Sequence, residues 1–253
     1  MEKWKNLVEA ERSGREFSNR QMLALIGLAA LAAALITWVP FFHLFDYPFR
    51  LLLTIVHELG HGLAGILTGG RFQSFVIAPD GSGLAYTSGG WRFLIIPAGY
   101  LGVAIFAAVL IIAGRSHRWG RVTLGVTGAA MLLLTLCYGR PGTLSLGAVL
   151  NSVLTMVMGV VFGALFLRVA LKASAGTVVF FLHLIAIKAG FTAFSDLFTV
   201  IGLAAAGDRH TDAHSMAELT HLPAVAWGLA WAAMAALLIG GAIWVAWGGE
   251  MET

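Results

Sequence analysis

Charge is scarce in this chain. Asp, Glu, Lys and Arg make up 11% of its 253 residues, where a soluble domain carries about 25%. An ordinary soluble fold is therefore not expected. Cysteine is scarcer still. The single Cys137 excludes an intrachain disulfide and any cysteine-rich metal cluster. It lies in an apolar run and reads as a small, inert core residue. Runs of basic residues are absent, so nucleic acid is not an expected partner. Residues 1–20 are polar and mixed in charge, and lack the apolar core and small-residue cleavage site of a secretory signal. The first span is therefore expected to stay attached.

What is abundant is apolar sequence, at 58% of the chain and arranged in long runs. That combination indicates an all-α polytopic membrane protein. We expect a polar segment over 1–20, one transmembrane domain over 21–247 and a short polar tail over 248–253. The apolar runs suggest about seven transmembrane segments. They are Met22–Phe42, Phe49–Thr68, Trp91–Ala113, Val122–Tyr138, Leu144–Leu167, Ala175–Ala206 with an interruption at Gly190, and Pro223–Trp247. Between them we expect a short turn over Phe42–Arg50, a basic loop over Arg115–Arg121 and a polar loop over Gly207–Leu222. Phe72–Thr87 is rich in aromatic and β-branched residues around Pro79-Asp80-Gly81-Ser82-Gly83, which reads as a small β-hairpin. Lys and Arg are slightly more numerous on the N-terminal side of the spans. This predicts a multi-pass protein of the cell membrane with a cytoplasmic N-terminus.

The chemistry sits in Thr54-Ile55-Val56-His57-Glu58-Leu59-Gly60-His61-Gly62. His57 and His61 are four residues apart, so a helix presents both imidazoles on one face to one metal ion. Glu58 follows the first histidine, where its carboxylate can reach a water at that metal. Ionisable groups inside a span are costly and mark function. The pattern predicts one zinc ion, with Glu58 as the catalytic base.

A catalytic zinc takes three protein ligands. Aspartates occur at 46, 80, 196, 208 and 212 only. Asp196 alone lies inside an apolar segment, on a polar stripe with Lys188, Thr192, Ser195 and Thr199. It is the first choice for third ligand, with Asp212 as the alternative. His183, His210, His214 and His221 are further candidates, read as a hydrogen-bonded helix residue and a solvated loop. Asn151 and Lys188 are candidates for polarising a substrate carbonyl.

These pieces resemble the site-2 protease family of intramembrane zinc metallopeptidases, in its compact branch without a PDZ domain. The resemblance is carried by His57-Glu58-Leu59-Gly60-His61-Gly62, Gly69-Gly70, Ser88-Gly89-Gly90 and Ala98-Gly99-Tyr100-Leu101-Gly102. Ser195-Asp196-Leu197, Thr211-Asp212-Ala213 and the stretch from Ala217 to Trp231 extend it. It implies zinc held by His57, His61 and Asp196, and catalysis by Glu58. It also implies hydrolysis of peptide bonds in or near transmembrane segments of membrane-anchored proteins. The chain departs from better-known members in lacking Leu-Asp-Gly and Asn-Pro-Asp-Gly sequences. Two other readings stay open: a non-catalytic membrane relative with a structural zinc, and a metal transporter.

Overall fold

The computed structural model describes residues 17–207 and 211–248. Most of the polar N-terminal segment, Asp208, His210 and all but the first residue of the tail lie outside the described residues.

Helix α1 (Asn19–Trp38) starts at Ser18, whose side chain accepts from the Gln21 amide while Gln21 reaches back to the Ser18 amide. This reciprocal cap satisfies two of the free amides of the first turn. Pro40 ends the helix and opens a single 3-10 turn, Pro40–Phe42. Helix α2 (His43–Leu67) follows at once. The turn expected over Phe42–Arg50 is thus helical, despite Pro48. Local sequence is overridden by tertiary partners: Tyr47 donates to the Pro79 carbonyl (2.8 Å), Arg50 to that of Asp80 (2.9 Å) and Thr54 to that of Gly81 (2.8 Å). At the other end Gly69, with φ 83°, reverses the chain. The Gly70 amide bonds Gly65 O and the Gly69 amide bonds Ile66 O, closing the helix as a glycine C-cap does.

Strands β1 (Arg71–Ile77) and β2 (Gly83–Ser88) pair antiparallel from Arg71↔Ser88 to Ile77↔Gly83, with a register irregularity between Phe72 and Ser74. The hairpin is the one the sequence predicts. Asp80 tightens its turn by accepting from both the amide and the hydroxyl of Ser82, which hold its carboxyl below the usual range. β1 is buried, whereas β2 is largely exposed.

The expected third span is broken by Pro97 into α3 (Arg92–Ile95) and α4 (Ala98–Gly114). Helix α5 (His117–Tyr138) absorbs most of the expected basic loop, and α6 (Leu146–Lys172) follows. Helix α7 (Ala175–Ala205) runs through Gly190 without interruption. One interior glycine costs only about 1 kcal/mol against alanine, too little to break a helix packed along its length. Its 31 residues span roughly 46 Å. The expected polar loop contains a helix, α8 (Asp212–Thr220), before α9 (Ala224–Trp247). Cys137 is exposed rather than core.

Among the described residues, five helices are long and apolar enough to cross a membrane: α1, α5, α6, α7 and α9. Two of the seven expected spans fall outside that set. α4 has 17 residues, and α2 is interrupted by Asp46, Arg50, His57, Glu58 and His61. The protein is a multi-pass helical membrane protein with one small sheet. Its main core joins Leu51 and Ile55 of α2 to Phe75 of β1, Phe166 of α6 and Leu182 of α7. A second core packs Ala213 and Met216 of α8 against Leu197 and Val200 of α7 and Trp231 of α9.

Candidate metal centre

Helical spacing on α2 brings His57 and His61 together, with Nε2 atoms 3.0 Å apart. Their rings meet edge-on at 4.7 Å. His61 Nδ1 lies 2.7 Å from the Ile95 carbonyl. The Ile95 carbonyl can accept from Nδ1–H, which orients the ring so that Nε2 faces His57. Ile95 is the last residue of α3, where carbonyls have no intrahelical partner, so its oxygen is open to His61.

The acid comes from α8. Asp212 Oδ2 lies 3.6 Å from His57 Nε2 and 3.5 Å from His61 Nε2. Ligand atoms of these three residues all fall within 4.8 Å of one another. Thr211 caps α8 by accepting from the His214 amide, and so sets Asp212 in the first turn. The apolar face of α8 then docks through Ala213 and Met216, and Trp227 Nε1 donates to Thr220 Oγ1 at its far end (2.9 Å). Burial raises the pKa of Asp212 and the two imidazoles lower it. The imidazoles prevail, so the carboxyl lies below its usual range.

Glycines make room for this group. A Cβ on Gly99 would collide with Nε2 of both histidines, and one on Gly60 with the Ala98 carbonyl. Only this pair of small residues lets α4 approach α2 so closely. Glu58 is 5% exposed. It rests against the start of β2, where a Cβ on Gly83 would stand 2.5 Å from Glu58 Oε1.

A cavity of about 800 Å³ opens onto these side chains. Its wall includes His57, Glu58, His61, Asp212, Tyr100 and Asp196. The structure therefore brings Asp212, the alternative acid, to the imidazole pair. Asp196 reaches the same cavity without joining the three converging atoms. Lys188 is turned elsewhere and is bound by Asp46 and Thr37. It shares a helix with Asp196, but eight residues turn it by about 80°. Asn151, on α6, is not part of the cavity wall. Among the other histidines, His183 Nδ1 bonds the Val179 carbonyl, His214 pairs with Glu218, and His221 closes α8 with φ 60°.

Sequence reasoning missed the placement of Asp212, the Ile95 carbonyl and the presence of Tyr100. One signal was available. Thr211 followed by an acid, with Ala213 and Met216 three residues apart, is a helix start with an apolar face.

Fold and site together define the class: a polytopic helical membrane protein with a His, His, Asp group that can hold a metal, beside a buried glutamate. A family described as Peptidase M50B-like matches residues 27–242. The chain belongs to this family, the site-2 protease family, which implies a membrane metallopeptidase. Searches among curated proteins and among solved structures found no match.

Proposed function

We propose that the protein is a zinc endopeptidase that hydrolyses peptide bonds in or near transmembrane segments of membrane-anchored substrates. The observation that carries this reading is the convergence of His57, His61 and Asp212 beside Glu58 on one cavity. Two imidazole nitrogens and a carboxylate oxygen are a donor set that suits zinc. The bond from His61 Nδ1 to Ile95 fits a ligating imidazole. His57, His61 and Asp212 would hold the ion, which supplies Lewis acidity toward a water and a carbonyl.

The chain's own residues do the rest. Glu58 takes a proton from the attacking water as its oxygen bonds the carbonyl carbon. The same carboxyl returns the proton to the amide nitrogen as the C–N bond breaks. A transmembrane substrate must first unwind, since its carbonyls are held in its own helix. The hairpin is suited to receive it. β1 has its outer edge engaged, with Ile77 donating to Thr155 Oγ1 (2.8 Å) and the Gln73 carbonyl accepting from Arg140 (3.1 and 3.0 Å). β2 has no second strand partner among the described residues and borders the cavity through Gly83, Leu84, Ala85 and Thr87. An extended substrate can pair there. Residence in the cell membrane with a cytoplasmic N-terminus belongs to the same proposal.

The test is zinc content together with cleavage of a membrane-anchored reporter in proteoliposomes. Wild type should bind one zinc and cleave, and Glu58→Gln should keep the zinc and not cleave. A Glu58→Gln variant that cleaves normally rules the peptidase out. Zinc flux without a peptide product would establish transport instead.

A further inference from the structure

We infer that Tyr100 is a catalytic residue whose phenolic O–H stabilises the oxyanion formed at the attacked carbonyl. The inference rests on the peptidase reading above and adds a residue to it. Tyr100 lies in the first turn of α4 and forms part of the cavity wall. Its ring meets His57 edge-on, with centroids 4.6 Å apart at 87°. Behind it stands Trp231, 1% exposed, stacked at 5.7 Å and 19°. The phenol is thus wedged between a metal-ligand candidate and a buried indole. Its position is set by packing, not by its own hydroxyl.

That hydroxyl makes no hydrogen bond to any described residue. Three other hydroxyls of the cavity wall are committed. Thr54 donates to the carbonyls of Arg50 and Gly81, Ser82 to Asp80, and Thr199 to the Ser195 carbonyl. The charged groups that act on the Tyr100 hydroxyl are the acids of the cavity, Asp212, Asp196 and Glu58. The hydroxyl is a donor open to the cavity and not a buried orphan. Beside the reacting group, such a donor can bond an oxygen on which negative charge develops.

The step balances without moving the phenolic proton. Water oxygen bonds the carbonyl carbon, Glu58 receives the water's proton, and the carbonyl π pair moves onto oxygen. Tyr100 donates to that oxygen and keeps its proton throughout. When the C–N bond breaks, the carbonyl re-forms and the hydrogen bond weakens. Tyr100 therefore binds the transition state better than the substrate, which lowers kcat and not KM when it is lost.

The experiment compares wild type, Tyr100→Phe and Glu58→Gln on a membrane-anchored reporter in proteoliposomes. Zinc content and affinity for a phosphinic peptide, a tetrahedral mimic, are measured alongside. Phenylalanine keeps the ring between His57 and Trp231 and removes only the O–H. We expect kcat to fall about 10²–10³-fold, with KM and zinc content unchanged. Affinity for the phosphinic peptide should fall in parallel. A Tyr100→Phe enzyme with kcat within about twofold of wild type overturns the inference, given that removal of a true donor costs far more. So does a loss of zinc that matches the loss of activity, because Tyr100 would then serve only to seat His57. Active Tyr100→Phe with inactive Glu58→Gln removes Tyr100 alone. A Glu58→Gln variant that still cleaves removes the peptidase reading and this inference together.

Discussion

Helix α2 carries two polar clusters with opposite designs. Near its start, Asp46 is bound by Lys188, which also donates to Thr37, and Lys188 is 3% exposed. Cation, carboxylate and hydroxyl answer one another, and α1, α2 and α7 are tied at one point. Three turns on, His57 and His61 face Asp212 and open onto the cavity. Both clusters carry the cost of polar groups in an apolar setting. The first is complete in itself and so is structural. The second turns three groups that could hold a metal toward an open cavity, and so is suited to chemistry.

Substitutions at each cluster should separate these designs. The largest effect belongs to Glu58→Gln, which should lower cleavage by about 10³-fold or more while zinc content and thermal midpoint hold. Next comes the ligand set. Asp212→Ala should empty the site of zinc, as read by metal analysis after dialysis, while Asp196→Ala keeps it. Zinc retained by the first and lost by the second would return the ligand role to Asp196. Gly99→Ala should act like Asp212→Ala, because its new methyl collides with both ligand nitrogens. Gly240→Ala, with nothing within 4 Å, is the neutral control.

At the closed cluster the expected effect is on stability. Lys188→Met leaves Asp46 unpaired and should cost about 3 kcal/mol in unfolding. Lys188→Met with Asp46→Leu should recover most of it, with cleavage near wild type. A double variant that folds but does not cleave would show that the ion pair serves the reaction. The smallest effect is expected at Thr155→Val, which strips the Ile77 amide of its acceptor on the covered edge of β1. Roughly 1–3 kcal/mol of stability should go, with KM unchanged. The same loss with a raised KM would mean that substrate lies on β1 instead of β2.

Much of this molecule was legible where one local signal decides the outcome. His57, Glu58 and His61 are fixed by spacing alone, and the hairpin by its turn residues between β-rich runs. The end of α2 at Gly69 follows from the need for positive φ. Legibility failed where a distant partner decides. Arg50 and Tyr47 keep α2 helical through Pro48 by bonding a turn some thirty residues away in sequence. Asp212 looked like a solvated loop acid because its helix is short and its cover, on α7 and α9, is not visible locally. Asp196 was favoured for its apolar surroundings, which reflect the cavity wall. Tyr100 stands within a stretch that carries the family resemblance, but nothing local marks its hydroxyl, since an aromatic in an apolar span is ordinary.

The brevity of α8 has a consequence for the order of assembly. Nine residues are too few to hold a helix in isolation. Asp212 can join the imidazoles only once Ala213 and Met216 have found α7 and α9. His57 and His61 meet early on one helix, and Asp212 joins them only with α9. The peptidase activity proposed above would then be withheld until α9 has been made.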